Sequence, residues 1–141
     1  MSPDEMLDKF QRIWDEVWHL PEKTAGAIGQ SFADHLIYRI SSLENPINKK
    51  AFAQFVPVWQ RAFPDGRMKT LDVTATDDKV WCYWLSTGTH SAEYLGIPAT
   101  GRQVAYQGVT IYRFNPEGQI AEVWDVPDVL TLLRQLGAIP Q

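Results

Sequence analysis

The chain has one cysteine, Cys82, in 141 residues, so no internal disulfide can form. That residue lies in a strand-like run from Val80 to Leu85, where a thiol packs as a small hydrophobe. The three histidines, His19, His35 and His90, form no HExxH or i, i+4 pair, and with a single cysteine they assemble no zinc set, so no metal is expected. A Gly-rich phosphate loop and a GxSxG nucleophile elbow are also missing, which removes the usual signatures of nucleotide binding and covalent ester chemistry. No apolar run approaches the roughly 20 residues that cross a bilayer. The opening Met1-Ser2-Pro3-Asp4-Glu5 has neither the positive start nor the apolar stretch of a signal peptide. These absences predict a cytoplasmic protein with no membrane partner. Basic residues are scattered and outnumbered, 13 Lys and Arg against 17 Asp and Glu, so no stripe can track a phosphate backbone and nucleic acid is not an expected partner.

What is present points to one packed domain over residues 1–141. The hydrophobic fraction of 45% and charged fraction of 21% are those of a soluble globular chain, and the length is ample for a single core. Aromatic content is the distinctive figure. Six Trp, five Tyr and six Phe supply large rigid side chains that fill a core or line an apolar cavity.

The first third reads as helical. Ser2, Pro3 and Glu5 form a helix start with a capping box, and Met6, Phe10, Ile13, Trp14, Val17 and Trp18 recur at the spacing of one buried face before Pro21. The stretch from Glu22 to Asp34 is moderately helical, and His35 to Ile40 is a candidate first strand. Asn48 caps a second strong helix with Phe52, Phe55, Val56, Trp59 and Phe63 inward, and Pro57 within it predicts a kink. From Arg67 the period becomes that of strands: Met68 to Ala75, Lys79 to Ser91, Gln103 to Phe114 and Gln119 to Val126. The short turns at Thr76-Asp77-Asp78 and Asn115-Pro116-Glu117-Gly118 demand antiparallel pairing. A last helix, Val129 to Leu136, stops at Gly137. Helices first and strands afterwards is the order of an α+β fold: a cone-shaped, mostly antiparallel curved sheet, N-terminal helices packed on it, and a short C-terminal helix.

One acid lies where a strand pattern would hide it. With a four-residue hairpin loop at 115–118, Phe114 faces Gln119, and the pairs become Gly108 with Asp125, Thr110 with Val123, and Tyr112 with Ala121. Asp125 then shares a face with Thr110, Tyr112, Ala121 and Val123, while Val109, Ile111, Arg113, Ile120, Glu122 and Trp124 occupy the other. Asp125 has two readings, a cap for the final helix or a buried acid, and Asp128 is the better placed cap. In an apolar pocket desolvation raises a carboxyl pKa and fits it to remove a proton from carbon next to a carbonyl, as an Asp does in ketosteroid isomerase.

The run from Gly88 to Gly101, GTHSAEYLGIPATG, resembles the GxHxGxxxGxPPTG stretch of SnoaL-like polyketide cyclases, with Ala92 and Ala99 as substitutions. Arg113 with Glu117-Gly118-Gln119-Ile120 is similar to the family's R-x-x-DGKI hairpin, and Lys50 to Gln54 to its KAFAQ helix. Asp125-Val126-Pro127-Asp128 running into Leu133-Arg134-Gln135-Leu136-Gly137 matches its ending, so the resemblance covers residues 45–137. It implies the fold of nuclear transport factor two and ketosteroid isomerase, and a ring closure by intramolecular aldol condensation without metal or organic cofactor. The family's base falls on Asp125, its assisting His on Thr110, and an active-site Asn around Ile37 or Tyr38. Thr110 can donate a hydrogen bond but cannot become a cation.

The expected function is therefore acid–base chemistry on a small apolar carbonyl compound. Asp125 serves as base, and His90, Thr110, Tyr112, Trp14 and Trp18 contact substrate. The alternative is a non-catalytic binding or dimerisation domain of the same fold. An apolar outer sheet face carrying Ile111, Ile120 and Trp124 requires cover, from helices or from a second copy, and a homodimer is expected.

Overall fold

The computed structural model describes residues 1–140. Helix α1, Pro3–Trp18, starts as its sequence dictates: the Ser2 hydroxyl accepts from the Glu5 amide at 3.1 Å, with Pro3 at the first helical position. The six predicted apolar positions are all buried. Each such side chain contributes roughly 1.5–3 kcal/mol of burial, so this face alone fixes α1 to the core. Helix α2, Pro21–Ser31, is tied back to α1 by the Thr24 hydroxyl, which donates to the Val17 carbonyl at 2.9 Å.

Strand β1 spans Phe32–Ile40, three residues earlier than the pattern predicted. Phe32 and Ala33 are buried, so the chain is already extended there. Helix α3, Lys49–Ala62, is capped by the Asn48 side chain, which accepts from the Ala51 amide at 2.9 Å. It continues through Pro57 as one element. Phe52, Val56 and Trp59, buried on both sides of the proline, hold the helix against a penalty of about 3 kcal/mol. Of the expected inward face, Phe55 is only half-buried, while Phe63, the C-cap residue, is buried as expected.

The other strands are β2 (Arg67–Thr76), β3 (Lys79–Thr89), β4 (Gln103–Phe114) and β5 (Ile120–Pro127), followed by α4 (Val129–Gln135). The sheet order is β1-β5-β4-β3-β2, antiparallel except for the parallel β1–β5 pair, in agreement with the predicted α+β architecture. The helices and the concave face enclose the core.

The β4–β5 register differs from the one expected. Thr110 faces Asp125, Tyr112 faces Val123, and Gly108 faces Pro127. The turn closes Asn115 onto Gln119, with the amide of Asn115 donating to the Gln119 carbonyl at 2.8 Å and Gly118 at φ +79°. Ala121 then bulges out between the pairs Phe114–Ile120 and Arg113–Glu122. The two irregularities move every later partner on by two residues, which preserves the side each residue faces. Ile120 is the exception: it lies opposite Phe114 and is fully buried, so it is absent from the outer face.

That outer face holds Trp81, Val109 and Val126 in the open, with Trp124 half-buried beneath the Arg39 guanidinium at 5.3 Å. Glu122 is clamped there between Arg39 and Arg113.

Candidate functional site

Residues of the concave face and the helices enclose a cavity of about 340 Å³, within the size range of small-molecule sites. Trp14 and Trp18 reach it from α1, Tyr38 from β1, and Trp84, Thr110, Tyr112 and Asp125 from the sheet. Its walls are mainly apolar, and among the described residues Asp125 is the one formally charged residue that lines it. Leu43, Leu95 and Val129 stand at the rim, the first two largely exposed.

The geometry around Asp125 follows from alternation. Thr110 and Asp125 are directly opposed on β4 and β5, so both point inward, and the Thr110 hydroxyl donates to Asp125 Oδ1 at 3.0 Å. Strand β1 runs parallel to β5 with Tyr38 opposite Val123, and the Tyr38 hydroxyl donates to Asp125 Oδ2 at 3.1 Å. Trp84 Nε1 donates to Thr110 Oγ1 at 2.8 Å. An indole N–H can only donate, so this bond commits the single hydroxyl proton of Thr110 to the carboxylate. Both oxygens of Asp125 are thus held by neutral donors. Burial pushes its pKa from 3.8 up to about 6, against the lowering effect of the Thr110 and Tyr38 bonds.

The neighbouring phenols are kept protonated. Burial raises the Tyr38 and Tyr112 pKa values well above the usual tyrosine range, and the Asp125 charge adds to both. The Cys82 thiol is pushed up to about 12 by burial and then by Asp125, which makes it inert as a nucleophile.

The model of the SnoaL-like polyketide cyclase family matches residues 8–136. The chain belongs to that family. Among solved structures, a candidate SnoaL-like polyketide cyclase from Jannaschia sp. CCS1 superposes with a TM-score of 0.87 at 21% identity, covering 98% of this chain and 95% of that one. AclR from Streptomyces galilaeus, a candidate hydroxylase, gives 0.86 at 24% identity over 99% and 85%. A SnoaL-like polyketide cyclase from Agrobacterium tumefaciens gives 0.76 at 19% over 97% and 100%. Likenesses at these identities establish the fold. No curated protein matches the chain.

Against this family background the predicted site residues divide. Asp125, Thr110, Tyr112, Trp14 and Trp18 all line the one cavity. Trp14 is a wall and not a free donor, because its Nε1 is spent on the Met68 carbonyl at 2.7 Å. His90, expected to contact substrate, is fully buried and outside the cavity lining. Its Nδ1 accepts from the Thr100 amide at 3.2 Å, its amide donates to the Arg102 carbonyl at 2.9 Å, and its carbonyl accepts from the Gly101 amide at 2.8 Å. These bonds hold the base of the 91–101 loop, which carries Tyr94 and Leu95 to the cavity, so His90 positions the loop.

Sequence reasoning missed Trp84, Tyr94 and Tyr106 as lining residues and placed Tyr38 only through the resemblance. Alternation along β3 and β4 was the available signal, since Trp84 and Tyr106 fall on the same faces as Cys82 and Thr110. Among the described residues no group of three His, Cys, Asp or Glu side chains could hold a metal, and no helix is long and apolar enough to cross a membrane.

A larger depression of about 610 Å³ opens between α2 and α3. Its Lys49 ammonium is already engaged with the Gly29 and Phe32 carbonyls at 2.9 and 2.8 Å and with Asp34, tying helix to strand. That depression brings no chemistry together.

Proposed function

We propose that the protein is a cytoplasmic acid–base enzyme in which Asp125 removes a proton α to the carbonyl of a small apolar substrate. The observation that supports this reading best is an enclosed carboxylate, its pKa raised to about 6, facing an apolar cavity. The C–H proton passes to Asp125 and the bond's electron pair is delocalised onto the carbonyl oxygen as an enolate. In a cyclisation the enolate carbon then bonds to a second carbonyl carbon of the same molecule, whose alkoxide recovers the proton from Asp125. In an isomerisation the proton returns to a different carbon. Both reactions need only acid and base groups, and a base with a pKa near 6 is largely ionised at neutral pH while remaining stronger than a solvated carboxylate.

The test uses 1-tetralone in deuterated buffer. Wild type is expected to catalyse exchange at the carbon next to the carbonyl, with a rate that rises with pH and levels off above about pH 7, because only the ionised form of Asp125 accepts a proton. Asp125→Asn should retain ligand binding and lose the exchange. Full exchange by the variant refutes the assignment.

A second reading, a binding domain without turnover, is favoured by one observation. Among the described residues no Lys, Arg or His lines the cavity, so an enolate oxygen would be met by neutral donors. Binding of 1-tetralone without exchange selects that reading.

The uncovered outer face further supports a homodimer. Trp81, Val109 and Val126 are exposed apolar side chains on the outer side of the sheet, and a two-fold copy of the same strip is self-complementary in character.

A further inference from the structure

Two ring nitrogens of α1 close on one residue of β2. Strand β2 is an edge of the sheet, so one side of its backbone has no neighbouring strand. At Met68 both backbone groups are taken by α1: the amide donates to His19 Nε2 at 2.9 Å, and the carbonyl accepts from Trp14 Nε1 at 2.7 Å. Met68 and Trp14 both line the cavity, so this staple fixes part of its wall. His19 is the C-cap of α1, and its side chain is only 10% exposed.

The Met68 amide can only donate, so His19 Nε2 carries no proton. The proton of the neutral ring is then on Nδ1, which stands 3.2 Å from Asp15 Oδ1 and donates to it. Protonation of Nε2 sets two N–H groups against each other across 2.9 Å, and the bond to Met68 has to break. There is room beside it for the imidazolium. His19 lines a depression of about 250 Å³. Among the described residues, its other charged lining groups are Asp65, from the turn between α3 and β2, and Arg67, at the start of β2. Asp65 accepts from the Thr89 amide and hydroxyl at 2.8 and 2.7 Å. The C-terminal end of a helix also favours positive charge. Burial, with Arg67 adding to it, holds the His19 pKa below its ordinary 6.5, while Asp15 pulls it upward.

We propose that His19 is an acid-sensitive latch: protonation at Nε2 releases the start of β2 from α1 and loosens the Trp14–Met68 wall of the cavity. The wall is firm at neutral pH and slackens in acid. The latch uses none of the groups assigned to proton abstraction, so it stands or falls apart from the role of Asp125.

The test follows hydrogen exchange of the Met68 amide and the Trp14 indole N–H by NMR from pH 7.5 to 4.5, with rates corrected for the intrinsic pH dependence of exchange. The Cys82 amide, in a strand paired on both sides, reports that the fold is intact. In wild type the protection of both reporters should fall at least tenfold below pH 6.5, while Cys82 stays protected. His19→Gln supplies an amide oxygen that accepts at every pH, so its Met68 protection should not change across the range. Asp125→Asn should show the same loss as wild type, which separates the latch from titration of the buried acid. If His19→Gln does not fold, the ring nitrogen shifts of wild type decide: a proton on Nδ1 alone at pH 7.5, and on both nitrogens where Met68 opens. Constant protection of Met68 or Trp14 in wild type, an equal loss in folded His19→Gln, a loss absent from Asp125→Asn, or a ring protonated at Nε2 at pH 7.5 overturns the proposal.

Discussion

Replacing Asp125 with Asn should make the protein more stable at pH 8, and the gain should vanish in acid. In the folded chain Asp125 holds its proton up to about pH 6, against 3.8 for the unperturbed group. Between these values the folded state binds more protons than the unfolded one, so wild-type stability falls as pH rises through the window and levels off above it. Asp125 is only half-buried by its exposed surface, so at 1.36 kcal/mol per pKa unit the cost of carrying its charge is at most about 3 kcal/mol above pH 6. Asparagine carries no charge at any pH and escapes this cost, although its amide group fits the Thr110 and Tyr38 donors less well than a carboxylate does. The expected difference between variant and wild type is thus about 1–3 kcal/mol at pH 8 and close to zero below pH 4. Urea unfolding of both proteins at unit steps from pH 4 to 8 measures it directly. Two stability curves that run parallel across this range, or a variant that is weaker at pH 8, would refute the burial of the charge and with it the basis for Asp125 as base.

Other outcomes test the surroundings of the site. Thr110→Val removes the donor to Asp125 Oδ1 and leaves the Trp84 N–H without its acceptor, so the pH profile of the exchange reaction should move upward and stability fall by about 1–3 kcal/mol; Thr110→Ser should restore both, and an unmoved profile argues against the network. At Gly108 an added Cβ would lie 2.2 Å from Trp84 Cζ2, so Gly108→Ala should displace the indole and cost more than 2 kcal/mol in a denaturant titration. Leu95 adopts φ +53° at the cavity rim, a left-handed conformation that costs a branched residue about 1–2 kcal/mol, so Leu95→Asn should raise the melting temperature while weakening the binding of 1-tetralone. Val109→Lys places a charge in the apolar strip of the outer face and should convert a dimer to a monomer in light scattering, with the deuterium exchange retained.

Local pattern fixed much of this protein in advance. The buried stripe of α1, the Ser2 and Asn48 caps, the turn at Gly118 and the limits of β4 are consequences of spacing and turn chemistry among residues close in sequence, and each stands where those rules place it. Alternation along β4 and along β5 beyond its bulge was enough to set Thr110, Tyr112 and Asp125 on one side, because a strand's period survives any shift of an even number of residues. Partners were another matter. The extra residue at Ala121 and the closure of Asn115 on Gln119 carry no unambiguous local signal, and together they decide that Thr110, and not Gly108, stands beside the acid.

Only the tertiary structure could join residues far apart in the chain. Tyr38 meets Asp125 across 87 positions because β1 adds to β5 in parallel, and Trp84 of β3 reaches Thr110 of β4. The same long-range packing placed His90 at the base of the 91–101 loop and outside the cavity lining, with its Nδ1 bonded to Thr100. Sequence thus determined the kinds of side chain available and the side of the sheet each would occupy, for these depend on local geometry. Which of them share one desolvated hollow, and so the raised pKa of Asp125, was settled by how the sheet curves beneath its helices, a property of the whole chain.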